Sequence, residues 1–287
     1  MSKKASNFQI GFMARAFRGT EVFKPLNTGR IDEHVSCVRE YIANIFFYEK
    51  NGKRIMIDAG YNYPRLKEKM GWLGIDPAGI TDILITHEDT DHVGAVEEDS
   101  KGLFRNARLY IGEIENRYLT GEVRRHVGFG TYPLLQVTIL NDKTLLKDGD
   151  VFYIGDIRVE AFLVPGHTFG HMNYLIDGRY MFTGDTIWYG ADGGYSFIST
   201  LAESNRLSKK SLAAFRDRLA ARGLKPVFIT GHTGWSDDFD YTFAHIDRTC
   251  SPFSHGPHDP SAPYDGYDES DDTAEKAASA LLEKRKA

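Results

Sequence analysis

Four apolar runs in this chain end in residues able to bind a metal ion, and that recurrence constrains the fold more than any other feature. Residues 81–86, with Ile83-Leu84-Ile85 at their centre, lead into His87-Glu88-Asp89-Thr90-Asp91-His92. Leu163-Val164-Pro165 leads into Gly166-His167, Met181-Phe182-Thr183 into Gly184-Asp185, and Phe228-Ile229-Thr230 into Gly231-His232. Short apolar runs of about four to eight residues bounded by turn signals read as buried strands. Glycine before the donor lets the backbone turn sharply at a sheet edge, so each imidazole or carboxylate would sit on a rigid strand end. In extended chain, residues two apart face the same way. His87 and Asp89 can therefore converge on one point while Asp91 and His92, at the turn into a helix, face another. Four strand ends deliver seven donors, which suits two metal ions.

The elements between these motifs predict layers. Residues 42–48 and 54–58 are apolar runs joined across Asn51-Gly52, a dipeptide suited to a hairpin turn. A helix is expected around 64–71 and another from 93 to 98, followed by a strand over 108–111 and a helix over 112–119. Short strands at 137–140, 144–146, 151–154, 157–164, 172–176 and 179–183 are punctuated by Asp148-Gly149, Gly155-Asp156 and Asp177-Gly178, and read as an antiparallel meander. A helix over 207–222 carries Leu212, Phe215 and Leu219 on one face, with Gly223 at its end and Pro226 beyond. This order predicts an α+β fold, sheet packed on sheet with helices outside. Beyond residue 250 the chain turns rich in Pro, Ser, Asp and Gly, and only 272–286, with an Ala/Leu stripe, suggests a further helix.

Composition excludes several classes. The 287 residues are 41% hydrophobic and 26% charged, a globular balance that excludes disorder or coiled coil for most of the length. No run of about 18 apolar residues suggests a membrane span, and the first nine residues lack the apolar stretch of a secretory signal, so a cytoplasmic location is expected. A net charge of −5 without a basic cluster argues against nucleic acid as a partner and leaves a small-molecule substrate. Cys37 and Cys250 cannot make a disulfide framework in a chain this long and read as two thiols. Nothing in the sequence fixes the oligomeric state.

The four motifs, in this order, resemble those of the metallo-β-lactamase superfamily over roughly residues 44–232. The family's His-x-His-x-Asp-His block, Gly-His-Thr, Gly-Asp-Thr and late Gly-His correspond to 87–92, 166–168, 184–186 and 231–232. The resemblance implies a four-layer αββα sandwich of two mixed sheets with outer helices over residues 1–250, leaving 251–287 as a tail. It implies two divalent ions, zinc in most of the family, with His87 and His167 on the first, Asp91, His92 and His232 on the second, and Asp185 bridging. His171 matches a second histidine of the Gly-His-Thr-x-Gly-His string and is expected beside the ligands. Asp58, at a strand end, is placed to orient a ligand imidazole. Glu88 is expected in solvent, and His34, His126, His245, His255 and His258 are given no metal role.

Asp89 departs from the pattern, standing where the family has its second histidine. Two readings stay open: a solvated loop carboxylate, or a seventh ligand whose charge and hardness shift the site from zinc toward iron or manganese. Two ions sharing a water would bring its pKa toward neutrality, giving a hydroxide nucleophile, with Asp91 passing a proton to the leaving group. Trp188, Tyr189, Tyr195 and Phe197 after Asp185, and Phe129 and Tyr132 in the irregular 121–136 segment, either line an apolar cleft or anchor loops. The expected activity is hydrolysis of a small ester, lactone or thioester. The alternatives are a diiron redox protein, which Asp89 permits but for which no electron-transfer domain is evident, and a weakly catalytic metal- or ligand-binding member.

Overall fold

The computed structural model describes residues 23–40, 42–60, 64–96, 102–127, 130–131 and 139–249. The first sheet orders β1 (Gly29–Arg30), β2 (Val35–Glu40), β3 (Ala43–Lys50), β4 (Lys53–Ile57), β5 (Asp82–Ile85) and β6 (Arg108–Gly112). Its last strand follows a two-stranded ribbon of β7 (His126–Val127) and β8 (Gly130–Thr131), and is β9 (Lys143–Leu146). Strands β1 to β4 pair antiparallel, and β4, β5, β6 and β9 pair parallel. The Asn51-Gly52 hairpin forms as expected, both residues with positive φ (50° and 76°).

The second sheet begins with the antiparallel strands β10 (Val151–Ile154), β11 (Ile157–Leu163), β12 (Met172–Ile176) and β13 (Tyr180–Gly184). The hairpin β14 (Ile187–Gly190) and β15 (Gly193–Ser196) leaves it, and β15 pairs with β18 (His245–Thr249) in a small third sheet. The second sheet resumes with β16 (Val227–Thr230), parallel to β13, and ends in β17 (Trp235–Ser236).

Alternation along the strands builds three apolar layers. Phe46, Tyr48, Ile55, Ile57 and Leu84 of the first sheet meet Val159, Ala161, Tyr174, Phe182 and Ile229 of the second between the sheets. Their neighbours Ile45, Phe47, Met56, Ile83 and Ile85 point the other way, onto Leu66 and Met70 of α1 (Pro64–Trp72). On the far side, Phe162, Leu175, Met181 and Phe228 pack against a long helix, residues Asn205–Ala221. That helix starts where the Ser204 side chain accepts from the backbone N–H of Leu207 (3.2 Å). Burial of its Leu212, Phe215 and Leu219 contributes about 1.5–3 kcal/mol per side chain. The strands are thus apolar on both faces, as expected of an αββα sandwich.

Three expectations need correction. Residues 144–146 are not part of the meander: β9 pairs parallel with β6 (Leu109 to Lys143), and only Leu146 of the strand is buried, so its sequence carries little signal of which sheet it joins. Residues 139–140 form no strand, and 137–138 lie outside the described residues. The helix expected over 93–98 is instead α2 (Thr90–Val93), continued by a 3₁₀ turn over Gly94–Val96, which places Asp91 and His92 inside the helical turn. The remaining helices, α3 (Glu113–Leu119), α4 (Asn205–Ala221) and α5 (Phe239–Thr242), lie outside the sheets' strand order. The expected tail helix over 272–286 falls outside the described residues. No helix among the described residues is long and apolar enough to cross a membrane.

Candidate metal centre

Main-chain hydrogen bonds draw the four motif-bearing strand ends to one edge of the sandwich. Met172 donates to the Thr86 carbonyl across the two sheets (2.9 Å), Gly231 to Gly184 between β13 and β16 (3.0 Å), and Asn44 to Gly231 (2.8 Å). Gly231 has no room for a side chain: a Cβ there would lie 2.9 Å from Asp185 Oδ1 and 3.0 Å from His92 Cε1. The chain delivers His232 to the site because nothing projects from the residue before it.

All seven expected donors converge, and they fall into two groups. His87, Asp89, His167 and Asp185 form one, and Asp91, His92 and His232 the other, the donor atoms of each group lying within 4.8 Å of one another. In the first group, Asp89 Oδ2 is 3.4 Å from His87 Nε2 and 3.0 Å from His167 Nε2. In the second, His92 Nε2 and His232 Nε2 face each other at 3.4 Å, with Asp91 Oδ2 at 3.8 and 3.5 Å. Asp185 stands between the groups. Its Oδ1 is 3.4 Å from His92 Nε2 and 3.2 Å from His232 Nε2, and its Oδ2 is 3.8 Å from His87 Nε2, 3.6 Å from His167 Nε2 and 3.2 Å from His232 Nε2.

Hydrogen bonds on the far ring nitrogens set the tautomers of three of these histidines. His92 Nδ1–H donates to Asp58 Oδ2 (2.7 Å), and His232 Nδ1–H to the Ile42 carbonyl (2.5 Å). The Thr86 hydroxyl donates to Asp58 (2.9 Å), leaving its oxygen to accept from His87 Nδ1–H (3.0 Å). Each Nε2 therefore faces inward, the arrangement a metal ligand needs. Ring nitrogens and carboxylates facing one another in a buried site suit a shared cation. Among the described residues, His87 Nε2 and Asp185 Oδ1 have no hydrogen-bond partner. Donors about 2.1 Å from one ion in tetrahedral array lie about 3.4 Å apart, and the separations here bracket that value. The residues fit divalent ions.

Electrostatics follow the same division. Burial opposes the charged form of His92, but Asp58, Asp185 and Asp91 outweigh it and raise its pKa to about 10. Burial, then the Arg125 guanidinium, push His167 down to about 3. Burial also opposes ionisation of Asp185, yet His232, His92 and His87 hold its carboxyl well below the usual range. Asp91 is raised, burial prevailing over His92 and His232.

The neighbours divide into those expected and those not. Asp58 accepts from His92 and also from the Thr86 backbone N–H (2.8 Å), and so ties one strand end to the helical turn. His171 lies beside the donors rather than among them: its Nε2 accepts from the Asp185 backbone N–H (3.0 Å), and its ring stacks on His87 at 4.8 Å. Trp188 and Phe197 pack on the donor imidazoles, Trp188 5.6 Å from the His232 ring and Phe197 4.2 Å from the His167 ring. Tyr189 and Tyr195 do not reach them. Tyr189 follows Trp188 in the strand and faces the outer layer, its hydroxyl 2.9 Å from Thr242 Oγ1. Tyr195 lies against His245, with its hydroxyl on Asp192 (2.9 Å). Both anchor the fold. Phe129 and Tyr132 lie outside the described residues.

Glu88 is also corrected. It is buried beside Glu115, not in solvent, because its peptide N–H donates to Glu115 Oε1 (2.8 Å) and draws the segment inward. Burial first, then the Glu115 carboxylate, raise it well above the carboxylate range. Sequence reasoning passed over Phe23, 5.4 Å from the His232 ring, and Arg125, which is buried and ion-paired to Asp89. Neither carries a motif, although a carboxylate at a histidine position is itself a reason to look for a compensating cation.

A family model of the metallo-beta-lactamase superfamily matches residues 38–255, and the chain belongs to that superfamily. Curated relatives that it resembles are named as hydrolases. The hydroxyacylglutathione hydrolase of Buchnera aphidicola is 30% identical over 148 residues, which are 51% of this chain and 47% of that protein. The chain spans about half the length of the curated relatives it matches. Among solved structures, a B3 metallo-beta-lactamase with an active-site glutamic acid aligns with a TM-score of 0.56 at 20% identity, covering 78% of this chain and 87% of that one. A metallo-beta-lactamase family protein from Thermus thermophilus aligns with a TM-score of 0.56 at 21% identity, covering 73% and 76%. At these identities the two structures attest to the fold.

Proposed function

We propose that the chain hydrolyses a small acyl substrate, a thioester before an ester or lactone, at a centre of two divalent ions. His87, Asp89 and His167 would hold one ion and Asp91, His92 and His232 the other, with Asp185 shared. The observation that carries this reading is the position of the Asp185 carboxylate, whose oxygens lie 3.2–3.8 Å from imidazoles of both donor groups. When bound, such a pair supplies a hydroxide at neutral pH and a Lewis acid for the developing oxyanion. Asp91, partly exposed at the edge of the second group, would take up the proton released as the nucleophile attacks and pass it to the leaving group. A thiolate makes the least demand on that proton, since thiols ionise near about 8.5.

The thioester preference is supported by relatives named hydroxyacylglutathione hydrolase. Phe23, Trp188 and Phe197 form an apolar wall over the His232 and His167 rings that suits an acyl chain. The buried Trp188 indole N–H has no partner among the described residues. For metal identity, zinc follows from the family, while the harder oxygen of Asp89 moves the first position toward iron or manganese.

The test is metal analysis of protein purified without added metal, then a panel of thioester, ester, lactone and phosphodiester. Thioester turnover should be highest, should vanish on exhaustive chelation and return with the divalent ion, and should fall to background in Asp185→Asn. Turnover that survives either chelation or that substitution overturns the proposal.

A further inference from the structure

We propose that Asp89 and Arg125 act as one unit that replaces the neutral histidine of the family pattern, the guanidinium serving as a built-in counter-ion. The inference rests on the metal-centre reading above. The two oxygens of Asp89 are divided between tasks. Oδ2 faces His87 Nε2 and His167 Nε2 at 3.4 and 3.0 Å, and Oδ1 is paired with Arg125 Nη1. Arg125 is held there from several sides: Nη2 donates to the Leu201 carbonyl (2.5 Å) and the His167 carbonyl (3.4 Å), and lies 3.3 Å from His167 Nε2. Glu88 Oε1 is farther away, 3.7 Å from Nη1.

At 1% exposure, Arg125 is a buried cation, which persists in proteins only when paired and hydrogen-bonded. Relative to an all-histidine block, Asp89 adds one negative charge and Arg125 one positive charge, so the charge presented to an ion is unchanged. What remains of the departure is the donor itself, an oxygen in place of a nitrogen. Arg125 is thus a positioning residue: it fixes the Asp89 carboxylate with Oδ2 inward and cancels its extra charge.

One consequence separates this from a solitary aspartate ligand. Asp89→His, which would restore the family motif, takes from Arg125 its nearest carboxylate, leaves Glu88 3.7 Å away, and sets the buried guanidinium against the imidazoles of the first position, which should repel the first ion. Removing both charges should repair the site. The experiment compares wild type, Asp89→His, Arg125→Met and the double variant as full chains. Thermal melting is measured on the metal-free proteins, and metal stoichiometry and first-position affinity by competition with a chromophoric chelator.

In the metal-free proteins, the double variant should melt above Asp89→His. With metal, Asp89→His should bind one equivalent fewer than wild type, and the double variant should regain it with at least about tenfold higher affinity. Arg125→Lys, which keeps the charge but loses the planar fork, should bind metal better than Arg125→Met and gives a readout should the latter fail to fold. Additive losses in the double variant, or a Lys variant no better than Met, overturn the proposal. Wild type that binds no divalent ion refutes the metal-centre reading instead, and the metal-free melting comparison still decides the pair.

Discussion

Replacing Asp58 by Asn tests how far the site depends on a residue that touches no metal position. Asp58 Oδ1 accepts from the Thr86 N–H (2.8 Å) and hydroxyl (3.0 Å), and Oδ2 from His92 Nδ1–H (2.7 Å) and the same hydroxyl (2.9 Å). All of its partners are donors. An amide can satisfy only one side, because its NH₂ must face either the Thr86 N–H or the His92 Nδ1–H. Against Thr86, a buried backbone donor is orphaned at about 1–3 kcal/mol. Against His92, the ring must move its proton to Nε2, the nitrogen aimed at Asp91, His232 and Asp185. Either outcome weakens the second donor group. Partners of this kind are typically worth about 10–100-fold in metal affinity, or about 1.4–2.7 kcal/mol. Asn tolerates the positive φ of position 58 (58°), so the backbone is not a second variable. Chelator competition should show this loss for one of two equivalents, with the other retained. Two equivalents bound as tightly as in wild type would refute the reasoning.

Two further outcomes follow from the frame around the site. Gly166 has φ of 153°, and a Cβ there would overlap the backbone of Ser208 in α4, so Gly166→Ala must push the His167 loop off that helix. At about 1–3 kcal/mol for such overpacking, melting should fall by roughly 2–12 °C with metal loading reduced, and calorimetry with metal analysis showing neither change would contradict this. Glu160 of β11 accepts from Arg222 beyond α4 (2.5 and 2.9 Å) and from Arg158 (3.1 Å), and Arg222 chiefly holds it below its ordinary 4.5. Because the folded value is the lower one, the bond's stabilisation is complete above pH 4.5 and disappears as pH falls through the folded value. The melting difference between wild type and Glu160→Gln should therefore shrink below pH 4.5, and a gap unchanged between pH 7 and pH 3 would remove Glu160 from the account.

The fold was legible where hydrophobic period and turn chemistry agree. The Asn51-Gly52 hairpin, the strands β10 to β13 and α4 follow from local pattern, because each closes its hydrogen bonds with a neighbour close in sequence or buries a continuous face. Strand β9 was not legible. Its pairing with β6 is parallel and joins residues more than thirty positions apart, and Lys143-Thr144-Leu145 leave no buried stripe to show which sheet they join. In the same way, Trp188 and Tyr189 are adjacent aromatics that composition treats alike. The strand turns one toward the His232 ring and the other into the outer layer.

The donors were legible for a reason that does not extend to Arg125. A ligand at a strand end is announced by the apolar strand before it and the glycine that aims it, both local signals. A counter-ion need satisfy only distance to a charge, so it can arrive from any segment whose backbone passes near. Arg125 comes from a stretch without regular structure between α3 and β7, held by carbonyls at 167 and 201 that lie far away in the chain. Its effect is nevertheless anticipated by the donor block itself. A buried aspartate that takes a histidine's place brings a charge that must be compensated, so the departure at position 89 implies a cation without saying where in the chain it lies. By this argument the charge at position 89 cannot be judged from the four motifs alone. Asp89 read alone makes the site more anionic than its family pattern, and Asp89 read with Arg125 leaves only the exchange of a nitrogen donor for an oxygen.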